Sequence, residues 1–190
     1  MEPTQAKIKV PEIYDTILRT IQAIEPSAMI AGGCLRDLIL GREVRDIDVF
    51  IPERDIGTIE QELAKISYLR SNLTETHEEY KGSSFISASI DYEGKGPPIN
   101  LVCVKDITTI PAEFDFGLNQ IYYKGEVITS TLAFDEDFHH QTFTLKYCEN
   151  QERFYRCLAR FRRIWQKYPT YRLVIPHEFL HYQIQPMDAF

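Results

Sequence analysis

Cysteine is scarce in this sequence and unpatterned: Cys34, Cys103, Cys148 and Cys157 include no Cys-x-x-Cys pair. That excludes a thiolate zinc framework and a disulfide-stapled scaffold, and it points to a reducing, cytoplasmic setting. No apolar run approaches the roughly 20 residues that a membrane-spanning helix needs. The opening MEPTQAKIKVPEIY has no apolar core that could act as a secretory signal. No membrane partner is therefore expected. Internal repeats and low-complexity tracts are also missing. Basic residues are in deficit, 21 against 28 acidic, for a net charge of −7, which argues against a protein whose whole surface grips nucleic acid. What is present is an ordinary globular balance, 44% hydrophobic and 26% charged over 190 residues. That suits one compact domain, or a domain with a short appendage.

The average charge hides a segregation. Between Gln151 and Arg172 there are seven basic residues and one acidic one, which leaves the remainder of the chain at −13. Any polyanion-facing surface is local and lies toward the C-terminus.

Helices and strands alternate without strict repetition, which predicts α/β or α+β with one mixed sheet. Ile13, Ile17, Ile21 and Ile24 recur at helical spacing after Pro11, and Glu25-Pro26 ends that helix. A short buried strand from Ala28 to Ala31 runs into Gly32-Gly33, a helix follows from Cys34 to Leu40, and Gly41 stops it. Asp46 to Ile51 alternates, with Ile47, Val49 and Ile51 on one face and the two aspartates on the other. Asp55 caps a further helix with Ile56, Ile59, Leu63, Ile66 and Leu69 on its apolar face. Ser84–Tyr92 and Ile99–Val104 read as a hairpin through EGKGPP. Asp115 to Tyr123 mixes helical and strand signals, and Lys124-Gly125 turns the chain into Val127-Ile128. A long last helix runs from about Gln151 to Tyr168.

The informative stretch is AGGCLRDLILGREVRDIDVFI, residues 31–51. Two glycines at a strand-to-helix turn let backbone approach a ligand closely. The helix they open points free amides at that ligand, which favours phosphate, and Arg36 can add a charge-assisted contact. Period-two geometry puts Asp46 and Asp48 on one face with Cα atoms about 6.5 Å apart. Carboxylates so placed can converge on a pair of divalent ions, the arrangement used in nucleotidyl transfer, and their hard oxygens suit magnesium. An isolated Asp-x-Asp is a solvated strand face; one that follows a phosphate-suited turn in the same compact unit is a candidate site.

This block resembles the head of class II tRNA nucleotidyltransferases and bacterial poly(A) polymerases, members of the DNA polymerase β superfamily. The resemblance implies that Gly33 and Arg36, with Gly32, contact a triphosphate and that Asp46 and Asp48 bind the catalytic metals. A second family motif is echoed at Glu113–Gln120, where Asp115, Phe116 and Asn119 agree but Glu113 and Phe114 replace two arginines. Asp115 and Asn119 are read either as nucleotide contacts or as a hydrogen-bonded pair shaping a turn. A third motif is echoed at Glu149–Arg156. There Arg153 and Arg156 match, while Asn150 replaces an aspartate that reads the base edge and can both accept and donate. A later family arginine falls on Ala159, with Arg160 one step off. Asn100 occupies the strand position where the family often has a third acid.

On a helical projection Arg153, Arg156, Arg160, Arg163 and Lys167 fall within about a quarter-turn. The stripe is a solvated surface, a nucleotide-phosphate contact near Arg153 and Arg156, or a track for a polynucleotide backbone. His177-Glu-Phe-Leu-His181 matches the His-Glu-x-x-His zinc pattern, but only nine residues follow and Asp188 is the sole acidic candidate for a third ligand, so both histidines are read as surface residues. His139-His140, beside Asp135 and Asp137, is read as a polar surface turn.

The combined expectation is a polymerase-β-like nucleotidyltransferase palm with a mixed central sheet over residues 1–148. A C-terminal neck-like helical extension, 149–190, packs on it. The expected activity is magnesium-dependent, two-metal transfer of a nucleoside monophosphate from an NTP to an acceptor hydroxyl, foremost an RNA 3′ end such as that of tRNA. A protein or small-molecule acceptor stays open. So does a catalytically weak nucleotide- or RNA-binding module.

Overall fold

The computed structural model describes residues 5–6, 9–53, 58–59, 61–62, 70–72, 86–93 and 97–183. Its frame is an eight-stranded mixed sheet in the order β1-β8-β7-β2-β3-β6-β5-β4. The strands are β1 (Gln5–Ala6), β2 (Met29–Ala31), β3 (Ile47–Pro52), β4 (Arg70–Asn72), β5 (Ile86–Glu93), β6 (Ile99–Val104), β7 (Ile121–Tyr123) and β8 (Ile128–Ser130). Only β3 and β6 pair in parallel; the other neighbours are antiparallel. The expected mixed sheet and the β5–β6 hairpin are both present. The helix expected from Asp55 falls largely outside the described residues.

Alternation along β3 divides its side chains between two cores. Ile47, Val49 and Ile51 enter the main cluster, with Ile30, Leu101 and Cys103 of neighbouring strands. Phe50 turns to the other face and joins Met29, Ala31, Val102, Val104 and Ile110. Asp48, in phase with Phe50, belongs to that second face. Helix α1 (Glu12–Gln22) buries Tyr14, Ile17, Leu18 and Ile21 against the main cluster. Ile13 is 40% exposed instead of buried. A spacing of four residues drifts about 40° per step around a helix, so the first of a series of isoleucines leaves the core face and Tyr14 takes its place.

Several elements were not expected, β1 and β4 among them. Helix α2 (Gly33–Ile39) was, but α3 (Leu132–His140) was not; it is capped by the Thr131 hydroxyl, which accepts from the Phe134 amide. Strands β9 (Thr142–Thr144) and β10 (Arg172–Val174) form a separate parallel pair. The surface-turn reading of residues 135–140 is thereby corrected. His139 and His140 are exposed in the last turn of α3, but Asp137 is 1% exposed. Its carboxylate accepts from the Leu118 and Thr144 amides and the Thr142 and Thr144 hydroxyls. His177–Gln183 is a 3-10 helix, whose three-residue turn does not align positions i and i+4 as an α-helix does.

Helix α4 (Gln151–Trp165) buries Phe154 and Cys157 in the same cluster as α1 and the sheet. Phe143 of β9 fastens it there. This fully buried ring lies 5.7 Å from Phe161, 5.7 Å from Phe116, 5.8 Å from Tyr168 and 5.6 Å from Tyr171, centroid to centroid. Tilted and edge-on contacts of this kind add to area burial. Among the described residues no helix is long and apolar enough to cross a membrane.

Phe143→Ala opens a cavity at the junction of β9, α4 and the segment after it. Urea denaturation of this variant is expected to show a loss of about 3–5 kcal/mol.

Candidate active site

The site begins at the corner between β2 and α2. Gly32 has φ +87°, a conformation L side chains rarely adopt, and its amide donates to the Ile121 carbonyl of β7. A Cβ there would stand 3.4 Å from the Phe114 ring. Gly33 is half-exposed and opens onto a cleft with two compartments. The first is lined by the apolar Ala31, Phe50, Ile86 and Phe114 and by the polar Asp115, Asn119, Arg153 and Arg160. The second holds Asp46, Arg45, Arg163 and Lys167. Gly33, Asp48 and Arg160 border both. Both aspartates therefore open on the cleft that the glycine corner lines.

The acid pair is not symmetric. Asp46 precedes β3 by one residue, and its Oδ2 accepts from Nε of Arg45 at 2.8 Å. Asp48 lies beside Asn100 in the parallel β3–β6 register, and the Asn100 amide donates to its Oδ1 at 2.8 Å. Asn100 was expected at the place of a third acid; in the structure it supplies Asp48 with a hydrogen bond and no charge. Among the described residues no three His, Cys, Asp or Glu side chains converge on one point. The oxygen donors are the two carboxylates and the Asn100 amide, hard ligands of the type magnesium takes when waters and substrate phosphates complete its shell.

Arg36 lies behind the corner. It is 5% exposed; Nε donates to Asp37 Oδ1 at 2.8 Å and Nη1 to Asn119 Oδ1, and the guanidinium sits 5.2 Å from the Tyr168 ring centroid. A phosphate contact was expected of Arg36; the structure engages it with protein partners at the cleft's rear wall. Asp37 also accepts from the Tyr168 hydroxyl at 2.6 Å and from Lys167 Nζ at 2.9 Å. Burial alone would raise the Asp37 carboxyl, but the Arg36 charge and the hydrogen bonds from Tyr168, Lys167 and Arg36 outweigh it and hold the group below the usual carboxylate range.

Asp115 and Asn119, each 2% exposed, form the turn-shaping pair that was one of their two readings. Asp115 Oδ1 accepts from the Phe116 amide and from Asn119 Nδ2, and Oδ2 accepts from Arg160 at 3.2 Å. They border the cleft all the same. Asn150 serves as N-cap of α4, its Oδ1 accepting from the Arg153 amide at 2.9 Å. Arg153 reaches the first compartment, whereas Arg156 pairs with Glu152 one turn back on the outer side. A groove beyond the cleft is lined by Arg153, Arg156, Arg160, Arg162 and Arg163. Cys157 lies at its floor, and burial pushes its thiol up to about 12, so it is a neutral packing residue.

A sequence profile of the Gabija anti-defense 2 (Gad2) family matches residues 5–144, which hold the glycine corner, both aspartates, Asn100 and Asp115. The chain belongs to the Gabija anti-defense 2 family. Arg153, Arg156 and Arg160 lie beyond the matched segment. No curated protein matches. Among solved structures, a tRNA-processing enzyme superposes at TM-score 0.65 with 19% identity over 93% of this chain and 47% of that one. A Thermotoga maritima CCA-adding enzyme complexed with tRNA gives 0.64 at 13% identity, over 96% and 45%. A CCA-adding enzyme with ATP gives 0.63 at 14%, over 91% and 42%. The expected nucleotidyltransferase fold is thus shared by this Gad2-family chain, which spans less than half the length of those proteins. The resemblance to tRNA nucleotidyltransferases is a likeness of fold; the family itself is a different one.

The motifs did not single out Tyr168, named Phe114 only as a departure, and placed Arg160 on the stripe and one step off a family arginine. The sequence signal for Phe114 was negative, an aromatic where arginine was expected. Tyr168 carried none, because its partner Asp37 is 131 positions away.

The buried clamp of this Gad2-family protein generates a pH-dependent prediction. Asp37→Asn leaves Arg36 with a weakened partner and is expected to cost about 3 kcal/mol or more at pH 7. Because the folded-state carboxyl is depressed, its contribution is present above the ordinary aspartate range and fades as pH falls below it. Denaturant unfolding at pH 7 and near pH 3 is therefore expected to show the deficit narrowing in acid.

Proposed function

We propose that this Gad2-family chain is a nucleotidyltransferase that serves counter-defence, as the family's name denotes, by attaching a nucleoside monophosphate to an acceptor hydroxyl. The observation that carries the reading is the convergence of Asp46, Asp48 and the Gly32-Gly33 corner on one cleft. In this reading residues 1–148 are the catalytic head and 149–190 a neck-like extension whose arginines complete the site.

The roles follow from placement. Gly33 admits phosphate close to backbone because no side chain stands there. Asp46 and Asp48 hold magnesium, which when bound activates the acceptor oxygen and stabilises the pyrophosphate leaving group. Arg45, Arg163 and Lys167 balance the charge of the triphosphate tail in the second compartment. The acceptor oxygen forms a bond to the α-phosphorus as the bond to the bridging oxygen of pyrophosphate breaks, and the hydroxyl proton leaves to solvent.

An RNA 3′ end is the favoured acceptor, since the arginine-lined groove opens into the cleft through Arg153 and Arg160. The CCA-adding enzymes of similar fold, solved with ATP and with tRNA, support the same reading by analogy of fold. Asn100 favours a second reading, a nucleotide-binding module with weak turnover, because it leaves two acids where a third could stand.

Incubation with each labelled NTP, magnesium and total RNA tests the proposal. Wild type is expected to label RNA. Asp46→Ala and Asp48→Ala are expected to lower transfer at least about a hundredfold, as loss of several kcal/mol of transition-state stabilisation implies. Binding without transfer to RNA, protein or small molecules favours the module. Asn100→Asp reports on the ion directly. It sets two carboxylates side by side, so its Tm is expected to fall without divalent cation and to rise with magnesium more than that of wild type.

A further inference from the structure

The two compartments of the cleft differ in chemistry, and the difference lies in residues where this chain departs from the pattern it resembles. The Phe114 ring packs on Gly32 and stands 5.3 Å from Phe50, centroid to centroid, at 48°. Ile86 and Ala31 extend the same apolar wall. The backbone that carries the ring is held: the Phe114 amide donates to the Pro111 carbonyl at 3.0 Å, and its own carbonyl accepts from the buried Gln120 amide at 3.3 Å. Arg153 and Arg160 line the same compartment as this half-exposed ring. The second compartment has no aromatic wall; it carries Arg45, Arg163 and Lys167 around the acids.

A ligand that fits both halves has a flat, uncharged, polarisable end and an anionic tail, joined where Asp48 and Gly33 border both compartments. We infer that Phe114 is the stacking platform for the nucleobase of a nucleoside triphosphate, with the phosphates directed away from it into the second compartment. This deepens the nucleotidyltransferase reading and rests on it. Phenylalanine at 114 has no charge to offer phosphate, so an arginine's phosphate contact has been exchanged for a π-face. A π-face is available to every base, so selection among bases falls to the polar wall. Base stacking on an aromatic side chain is sequence-tolerant for the same reason.

Phe114→Leu retains apolar packing on Gly32 and Phe50 but removes the π-face; Phe114→Trp retains it. Calorimetric titration with the four NTPs and with inorganic tripolyphosphate, all with magnesium, separates base from phosphate contributions. Phe114→Leu is expected to weaken NTP binding about tenfold or more while leaving tripolyphosphate unchanged, and Phe114→Trp is expected to preserve both. Proton NMR of bound ATP is expected to show upfield-shifted H2 and H8 resonances with wild type and no such shift with the leucine variant. Equal weakening of NTP and tripolyphosphate, or unchanged NTP affinity and base shifts in the leucine variant, overturns the inference and leaves the nucleotidyltransferase reading standing. Failure of wild type to bind any NTP defeats that parent reading and this inference with it.

Discussion

A guanidinium taken out of water has to be compensated where it lies, and in this protein the compensation of Arg36 organises the site. Asp37 and Asn119 accept its hydrogen bonds. Asp37 in turn draws in Tyr168 and Lys167, and Asn119 leans on Asp115, which binds Arg160. One chain of charged and polar contacts therefore runs from the helix after the glycine corner, through the turn at 115–119, to the far helix. Lys167 and Arg160 lie seven positions apart, about two turns, so α4 and the residues after it are held at two points. Removing Arg36 or Asp37 leaves its buried partners short of a charge, which makes such a network stiff.

That stiffness has a consequence for the cleft. The acids come from the sheet, and the cations facing them come largely from α4 and the residue just past it. Neither half lines the second compartment alone. Aromatic packing around Phe143 sets the distance between them, and the Arg36 network sets the rotation of the helix. Arg153, Arg160 and Arg163 reach the cleft because Phe154, Cys157 and Phe161 are turned into the core.

Legibility in the sequence followed the range of the interactions. The glycine corner, the acid pair and the arginine stripe are local patterns with helical or strand period, and the structure brings the corner, the acids and all of the stripe but Arg156 to one cleft. The sheet followed from alternation and from turns such as Gly125, at φ +106°. Hidden were features whose partners are remote in sequence. Helix α3 carries few apolar residues and is recognisable mainly by its Thr131 cap, and its buried Asp137 looks like any surface aspartate until the amides and hydroxyls it serves are assembled around it. Arg36 reads as a ligand contact because arginine one turn into a helix is usually exposed; the rings of Phe143 and Tyr168 that enclose it lie more than a hundred residues away.

Three departures from the resembled pattern share a direction, while Glu113 reverses a charge. Asn100, Phe114 and Asn150 each put a neutral side chain where a charge was expected, and all three lie on β6, the 114 turn or the start of α4. Asn100 spends its amide on Asp48, Asn150 caps its helix, and Phe114 closes against Gly32. Each thereby gains a structural partner inside the protein, and the charges that line the second compartment are those of the acids and of the cations around them. A site built this way depends less on individual ligand contacts and more on how firmly α4 is docked. The network that compensates Arg36 therefore borders the second compartment of the cleft.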